Sequence, residues 1–141
     1  GSVYSQPFGA VDITPTLLHL AGHEYSADTF QGRDLSVALR DEATAATSKY
    51  TFLRNAGTKV SWICVVDSRY KLVLSVNDRP WLFDSQQDPD ELHNFFGRPG
   101  SEAVTRALAK ALKGYSVASG DTFAEQPEVA KSLNLCLHMG L

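Results

Sequence analysis

"SRYKLVLSVNDRPWLFDSQQDPDE", residues 68–91, decides how this chain is read. Tyr70, Leu72, Leu74 and Val76 alternate with Lys71, Val73 and Ser75, the two-residue period of a strand with one apolar face. Asn77-Asp78 is a turn, and "PWLFD" at 80–84 is a second strand. Asp88-Pro89-Asp90-Glu91 then has the form of a helix start, with Asp88 placed to accept from the Glu91 amide and Pro89 lacking the donor that position would waste. It predicts a turn of helix ending near Gly97.

Upstream, "KYTFLRN" (49–55) and "KVSWICVVDS" (59–68) are rich in aromatic and β-branched residues and are separated by Asn55-Ala56-Gly57. Short connections favour neighbouring antiparallel strands, so the four runs predict a four-stranded meander. Downstream, "SEAVTRALAKALKG" (101–114) places Val104, Ala107, Leu108, Ala111 and Leu112 on one helix face, between a Ser101 cap and a Gly114 stop. "QPEVAKSLNL" (126–135) is a further helix candidate, and the segment between the two reads as loop.

Before the strands, "DITPTLLHLAG" (12–22) predicts a short helix over residues 15–21. Thr14 is its cap, Pro15 its first residue, Leu17, Leu18 and Leu20 its apolar face, and Gly22 its stop. Residues 23–33 read as loop, and "DLSVALR" as one or two helical turns behind Asp34. The fold class is therefore α+β: a four-stranded antiparallel sheet with a packed C-terminal helix, preceded by a helix/loop segment of the kind found at the edge of an α/β domain. The division expected is residues 1–2 as the scar of an expression tag, 3–45 as the end of an α/β domain, 46–114 as a small subdomain, and 115–141 as a tail with a possible helix.

Composition narrows the function classes. Hydrophobic residues at 43% and charged ones at 21% are ordinary for a globular chain of 141 residues. Sixteen acids against thirteen bases, scattered along the chain, give a net charge of −3 and no basic stripe, so nucleic acid is not an expected partner. No apolar run reaches the roughly 18 residues of a membrane span, so no membrane partner is expected either.

No residue pattern of its own announces chemistry. Cys64, within "WICVV", reads as a buried thiol, and Cys136 has no evident role. His19 and His23 have the spacing of paired zinc ligands, but Gly22 ends the helix before His23 can share its face. Asp84, Asp88, Asp90 and Glu91 lack the alternating ligands and central glycine of an EF-hand, so capping and turn formation account for them. No metal site is expected. Nucleophile elbow, phosphate loop and dinucleotide fingerprint are all missing from the sequence.

Four stretches in register nevertheless resemble the C-terminal region of type I sulfatases, of the alkaline-phosphatase-like superfamily. They are "VDITPTLLHLAG" (11–22), "GRDLSVAL" (32–39), "RYKLV" (69–73) and "WLFDSQQDPDELHNF" (81–95). The resemblance covers about residues 3–113. It implies a parent enzyme that hydrolyses sulfate esters with a formylglycine, made from Cys or Ser in a Cys/Ser-x-Pro/Ala-x-Arg motif, beside a calcium ion. Those groups lie upstream of the 15–21 helix in that family, so the fragment is expected to be inactive alone, to carry no catalytic residue and no cofactor of its own, and to partner a missing N-terminal catalytic domain. Ser36-Val37-Ala38-Leu39-Arg40 fits the loose motif by chance at a place where the family has a leucine-rich stretch, and Cys64 does not fit it.

By the same resemblance, the turns at Asn55–Lys59 and Asn77–Arg79 border a substrate pocket, with Arg79 as the rim contact for a sulfate or carboxylate. The parent would be periplasmic, secreted or lysosomal. With the catalytic domain absent, Leu17, Leu18 and Leu20 are expected to mediate self-association. Two other readings remain: a fragment of a related phosphate or phosphonate ester hydrolase, and a stand-alone module binding carbohydrate or protein through Trp62, Trp81 and the sheet edge.

Overall fold

The computed structural model describes residues 6–40, 49–57 and 61–140. The chain divides into two compact units, Gly1–Thr51 and Phe52–Leu141. The architecture is α+β, with one four-stranded sheet in the order β1-β2-β3-β4 and helices following it in sequence.

In the first unit the helix α1 spans Ala10–Leu20, five residues earlier than the sequence suggested, and Pro15 lies inside it. The reason is Asp12. At the third helical position its carboxylate reaches back to the Gly9 amide at 2.9 Å, which closes the start of the helix without Thr14. Pro15 would leave the Val11 carbonyl without its intrahelical donor, and the backbone of Gly32 comes up against that carbonyl: a Cβ at Gly32 would lie 1.8 Å from the Val11 oxygen. Thr16 joins the next segment, accepting from the Leu35 amide at 3.0 Å and donating to the Asp12 carbonyl at 2.6 Å. Behind it α2, Ser36–Arg40, begins where the Asp34 carboxylate accepts from the Ser36 amide at 2.8 Å.

The second unit holds the sheet: β1 (Thr51–Ala56, whose first residue belongs to the other unit), β2 (Ser61–Val66), β3 (Tyr70–Ser75) and β4 (Trp81–Asp84). β2 and β3 pair antiparallel with Val65 opposite Leu72, and β3 and β4 with Leu72 opposite Leu82. One sheet face therefore carries Ile63, Val65, Leu72, Leu74 and Leu82, all fully buried. The other carries Trp62, Cys64, Val73, Trp81 and Phe83, and of these Cys64 is buried.

Two helices complete the core. α3, Glu102–Ser119, buries Thr105, Leu108, Ala109, Leu112 and Ser116, whereas Val104 is half-buried and Ala107 exposed. The buried stripe is thus turned about one residue from the expected one, because α3 packs on β2, β3 and the following helix together. It also runs through Gly114 to Gly120, whose φ of 66° gives the left-handed stop. Ser101 does not cap it with its side chain, which donates to the Arg98 carbonyl instead. Asp121 accepts from the Phe123 amide at 2.9 Å to open a 3-10 turn, Thr122–Glu125. α4, Pro127–Leu137, follows and buries Val129, Leu133 and Cys136.

The segment after β4 forms turns, not the expected helix. Glu91 has φ 54°, outside helical space, and the Asp88 carboxylate accepts from the His93 amide at 2.7 Å, two residues beyond its expected partner. Asn94 Oδ1 then accepts from the Leu82 amide at 3.0 Å, and the Phe95 amide donates to the Leu82 carbonyl at 2.8 Å. The edge of β4 captures these residues, and a local helix signal loses to that pairing.

Candidate functional site

The β3–β4 turn is built around Asp78. Its Oδ1 accepts from the Arg79 amide at 2.7 Å and its Oδ2 from Trp81 Nε1 at 2.9 Å. The Trp81 hydrogen bond, then that of Arg79, holds the Asp78 carboxyl below its ordinary range. Trp81 stacks on Phe83 with centroids 5.8 Å apart. Arg79 is exposed and lines a cavity of about 440 Å³ between this turn and α4, where Glu128, Lys131, Ser132 and Leu135 supply the other wall. The sequence singled out Arg79; Lys131 and Ser132, which line the same cavity, it did not single out. The helical spacing of 128, 131, 132 and 135 was readable, but nothing local says that this face meets the turn. Of the other turn, Thr58 and Lys59 lie outside the described residues.

The acidic cluster is dispersed into separate jobs. Arg69 binds Asp84 through Nε and Nη2 at 2.9 and 2.7 Å, and Asp84 Oδ1 also accepts from the Gln86 amide at 3.1 Å. Asp88 closes its own turn. Glu91 Oε2 lies 2.6 Å from Lys71 Nζ. Asp84, Asp88 and Glu91 thus each serve a different partner.

In the first unit, the Asp12 carboxylate accepts from the Arg33 amide at 2.7 Å and from its Nη2 at 2.8 Å. Burial pushes this carboxyl up, but hydrogen bonds from Arg33 and Gly9 and the Arg33 charge outweigh it and the net direction is down. His19 Nδ1 meets Asp34 Oδ2, and His19, His23, Glu24 and Tyr25 border one open cavity. Among the described residues no three His, Cys, Asp or Glu side chains are grouped to hold a metal. Ser36, of the loose motif, is fully buried. Leu17 and Leu20 are 59% and 42% exposed, and with Phe8, Ile13 and Leu39 they line an apolar groove of about 290 Å³.

The model of the family described as "N-sulphoglucosamine sulphohydrolase, C-terminal" matches residues 2–118. Solved structures share the fold. BT4656, in complex with its substrate D-glucosamine-2-N,6-O-disulfate, is 24% identical over 83% of this chain, with a TM-score of 0.69. BT1596, a 2-O GAG sulfatase, is 25% identical over 82%, with a TM-score of 0.67. A candidate sulfatase from Bacteroides thetaiotaomicron VPI-5482 is 25% identical over 82%, with a TM-score of 0.68. The chain spans about a quarter of each: 25%, 26% and 26% of their lengths. No curated protein matches it significantly.

Proposed function

Because the chain belongs to the N-sulphoglucosamine sulphohydrolase C-terminal family, we propose that it is the non-catalytic C-terminal part of an enzyme that hydrolyses sulfate esters of amino sugars. The family match carries this reading. The substrate class is suggested by BT4656, whose own substrate is a glucosamine disulfate. The state of the reactive side chains supports a non-catalytic role: Cys64 is buried, and desolvation pushes its thiol up to about 12, far from the anionic form a nucleophile needs. Formylglycine and calcium chemistry belongs, on this reading, to residues outside the chain.

Two surfaces then have work to do. The groove of Phe8, Ile13, Leu17, Leu20 and Leu39 docks on the catalytic part of the enzyme, since an apolar surface of this kind is stabilised by exclusion from water. Arg79 stands at the substrate rim and pairs with an anionic group away from the reacting bond. The test compares sulfate release by the 141-residue chain with that by the full native open reading frame, on glucosamine sulfates and on aryl sulfate, phosphate and phosphonate esters. The expected result is release only by the full protein and only from sulfates. Turnover by the chain alone would defeat the non-catalytic reading, and preference for phosphorus esters would defeat the reaction class.

A further inference from the structure

α4 lies outside the residues that the family model matches, yet it forms a wall of the cavity beside Arg79. Its two faces have separate tasks. Val129, Leu133 and Cys136 point into the core, while Glu128, Lys131, Ser132 and Leu135, at spacings of three and four residues, turn toward the β3–β4 turn. Among the described residues, neither hydrogen bond nor salt bridge engages the side chains of Arg79, Lys131, Ser132 and Glu128. Three cations elsewhere in this unit are paired with acids: Arg69 with Asp84, Lys71 with Glu91 and Arg54 with Asp121. Asp78, the acid nearest Arg79 in sequence, already accepts from Trp81 and from the Arg79 amide.

We propose that this cavity binds a saccharide carrying an oxyanion, with the Arg79 guanidinium and the Lys131 ammonium on the anionic group. The inference rests on the reading of the β3–β4 turn as a substrate rim, and adds the α4 wall with Lys131 as a second contact for the anionic group. Two cations from separate elements suit a sulfate or carboxylate, the guanidinium through paired N–H donors and the ammonium as a point charge. Glu128 would repel a bare anion, so the ligand carries hydroxyl donors for that carboxylate and an acceptor or donor for Ser132. Leu135 offers an apolar patch for a ring face. The volume, about 440 Å³, is that of a small-molecule cleft.

The experiment is an amide NMR titration of the 141-residue chain with D-glucosamine-2-N,6-O-disulfate, with N-acetylglucosamine and sodium sulfate as separate arms. The disulfate is expected to give saturable shifts at Arg79, Lys131 and Ser132, and each of the two simpler probes to bind at least roughly tenfold more weakly. Arg79→Ala and Lys131→Ala should each weaken the disulfate by roughly tenfold, the scale of one lost charge-assisted contact, with unchanged thermal melting. Sodium sulfate binding as tightly as the sugar would overturn the saccharide assignment. Absence of shifts at Lys131 and Ser132 would overturn the site. Shifts at Arg79 that saturate in Lys131→Ala at the same disulfate concentration as in the parent would overturn the joint wall and leave the rim reading standing. The readout is binding alone, so it is independent of whether the full protein turns over sulfates.

Discussion

Arg69 and Asp84 are joined by two parallel hydrogen bonds across the end of the β3–β4 ladder, at 2.9 and 2.7 Å, and the carboxylate is almost wholly buried. The Arg69 hydrogen bond is the leading cause holding the Asp84 carboxyl below its usual range, against a smaller upward push from burial. A lowered folded-state value means that this stabilisation is fully present above the unfolded pKa near ~4 and is lost as pH falls through the lower folded value. Asp84→Asn should cost roughly 1.5–3 kcal/mol at neutral pH, the scale of a hydrogen bond to a charged group. It should also flatten the loss of stability below about pH 4. Urea unfolding of both forms at pH 7 and at pH 3 checks this; a variant as acid-sensitive as the parent would contradict it. Asp12 makes the same contribution with the same sign in the first unit, through Arg33.

Three glycines should answer alanine with three different signs or sizes. Gly32→Ala places a Cβ 1.8 Å from the Val11 oxygen and 2.3 Å from its carbonyl carbon, both backbone atoms that cannot step aside. A loss of about 3 kcal/mol, the upper end for overpacking, is expected. Gly22 has open space around it but φ +78°, so alanine there costs about 1–2 kcal/mol of backbone strain. Gly114 lies inside α3 with nothing within 4 Å, and Gly114→Ala should raise stability by about 0.5–1 kcal/mol. Melting temperatures of the three variants decide it. Destabilisation by Gly114→Ala would mean that the helix ends there after all.

The sheet was legible because burial of one face leaves its mark on alternate residues: Leu72 and Leu74 are buried and Lys71, Val73 and Ser75 are not, as the sequence alternates. The errors share another cause. Pro15 reads as a first helical residue only while Asp12 and Gly32, twenty residues apart, are considered separately; together they let the helix start earlier. Asp88 to Glu91 carries a sound helix signal, but Asn94 and Phe95 find the edge of β4. Gly114 reads as a stop, yet its cost of about 1 kcal/mol is small beside the burial of Ser116's turn and the packing of α4. Arg79 and Lys131 line one cavity from fifty-two residues apart, beyond any local pattern, so the α4 wall was out of reach of the sequence.

The apolar groove should show itself as self-association of the isolated chain. Leu17, Ile13 and Phe8 are 59%, 43% and 47% exposed on one surface of the first unit. Burying a leucine of this kind is worth about 1.5–3 kcal/mol at most, so several together suffice for a weak dimer. Light scattering of the 141-residue chain should report a mass that rises with concentration, and Leu17→Asp should return it to a monomer without lowering its melting temperature. A parent chain that stays monomeric at high concentration would rule this out.

The two thiols give a probe of the second unit's integrity. Cys64 lies on β2 and Cys136 on α4, both buried, and desolvation pushes each up to about 12. The Lys71 charge lowers Cys64 a little and Glu91 raises it, so their ion pair leaves burial in control. A thiolate reagent at pH 8 should therefore label neither in the native chain and both in denaturant. Because the strand and the last helix belong to one core, the two should become reactive together as urea is raised. Lys131→Ala, outside that core, should leave the reactivity midpoint unchanged, whereas Val129→Ala should lower it, by about 1–3 kcal/mol in stability for a buried side chain cut back to a methyl. If Cys136 were labelled well before Cys64, α4 would be a loosely attached arm, and the cavity wall it supplies beside Arg79 would not hold its shape.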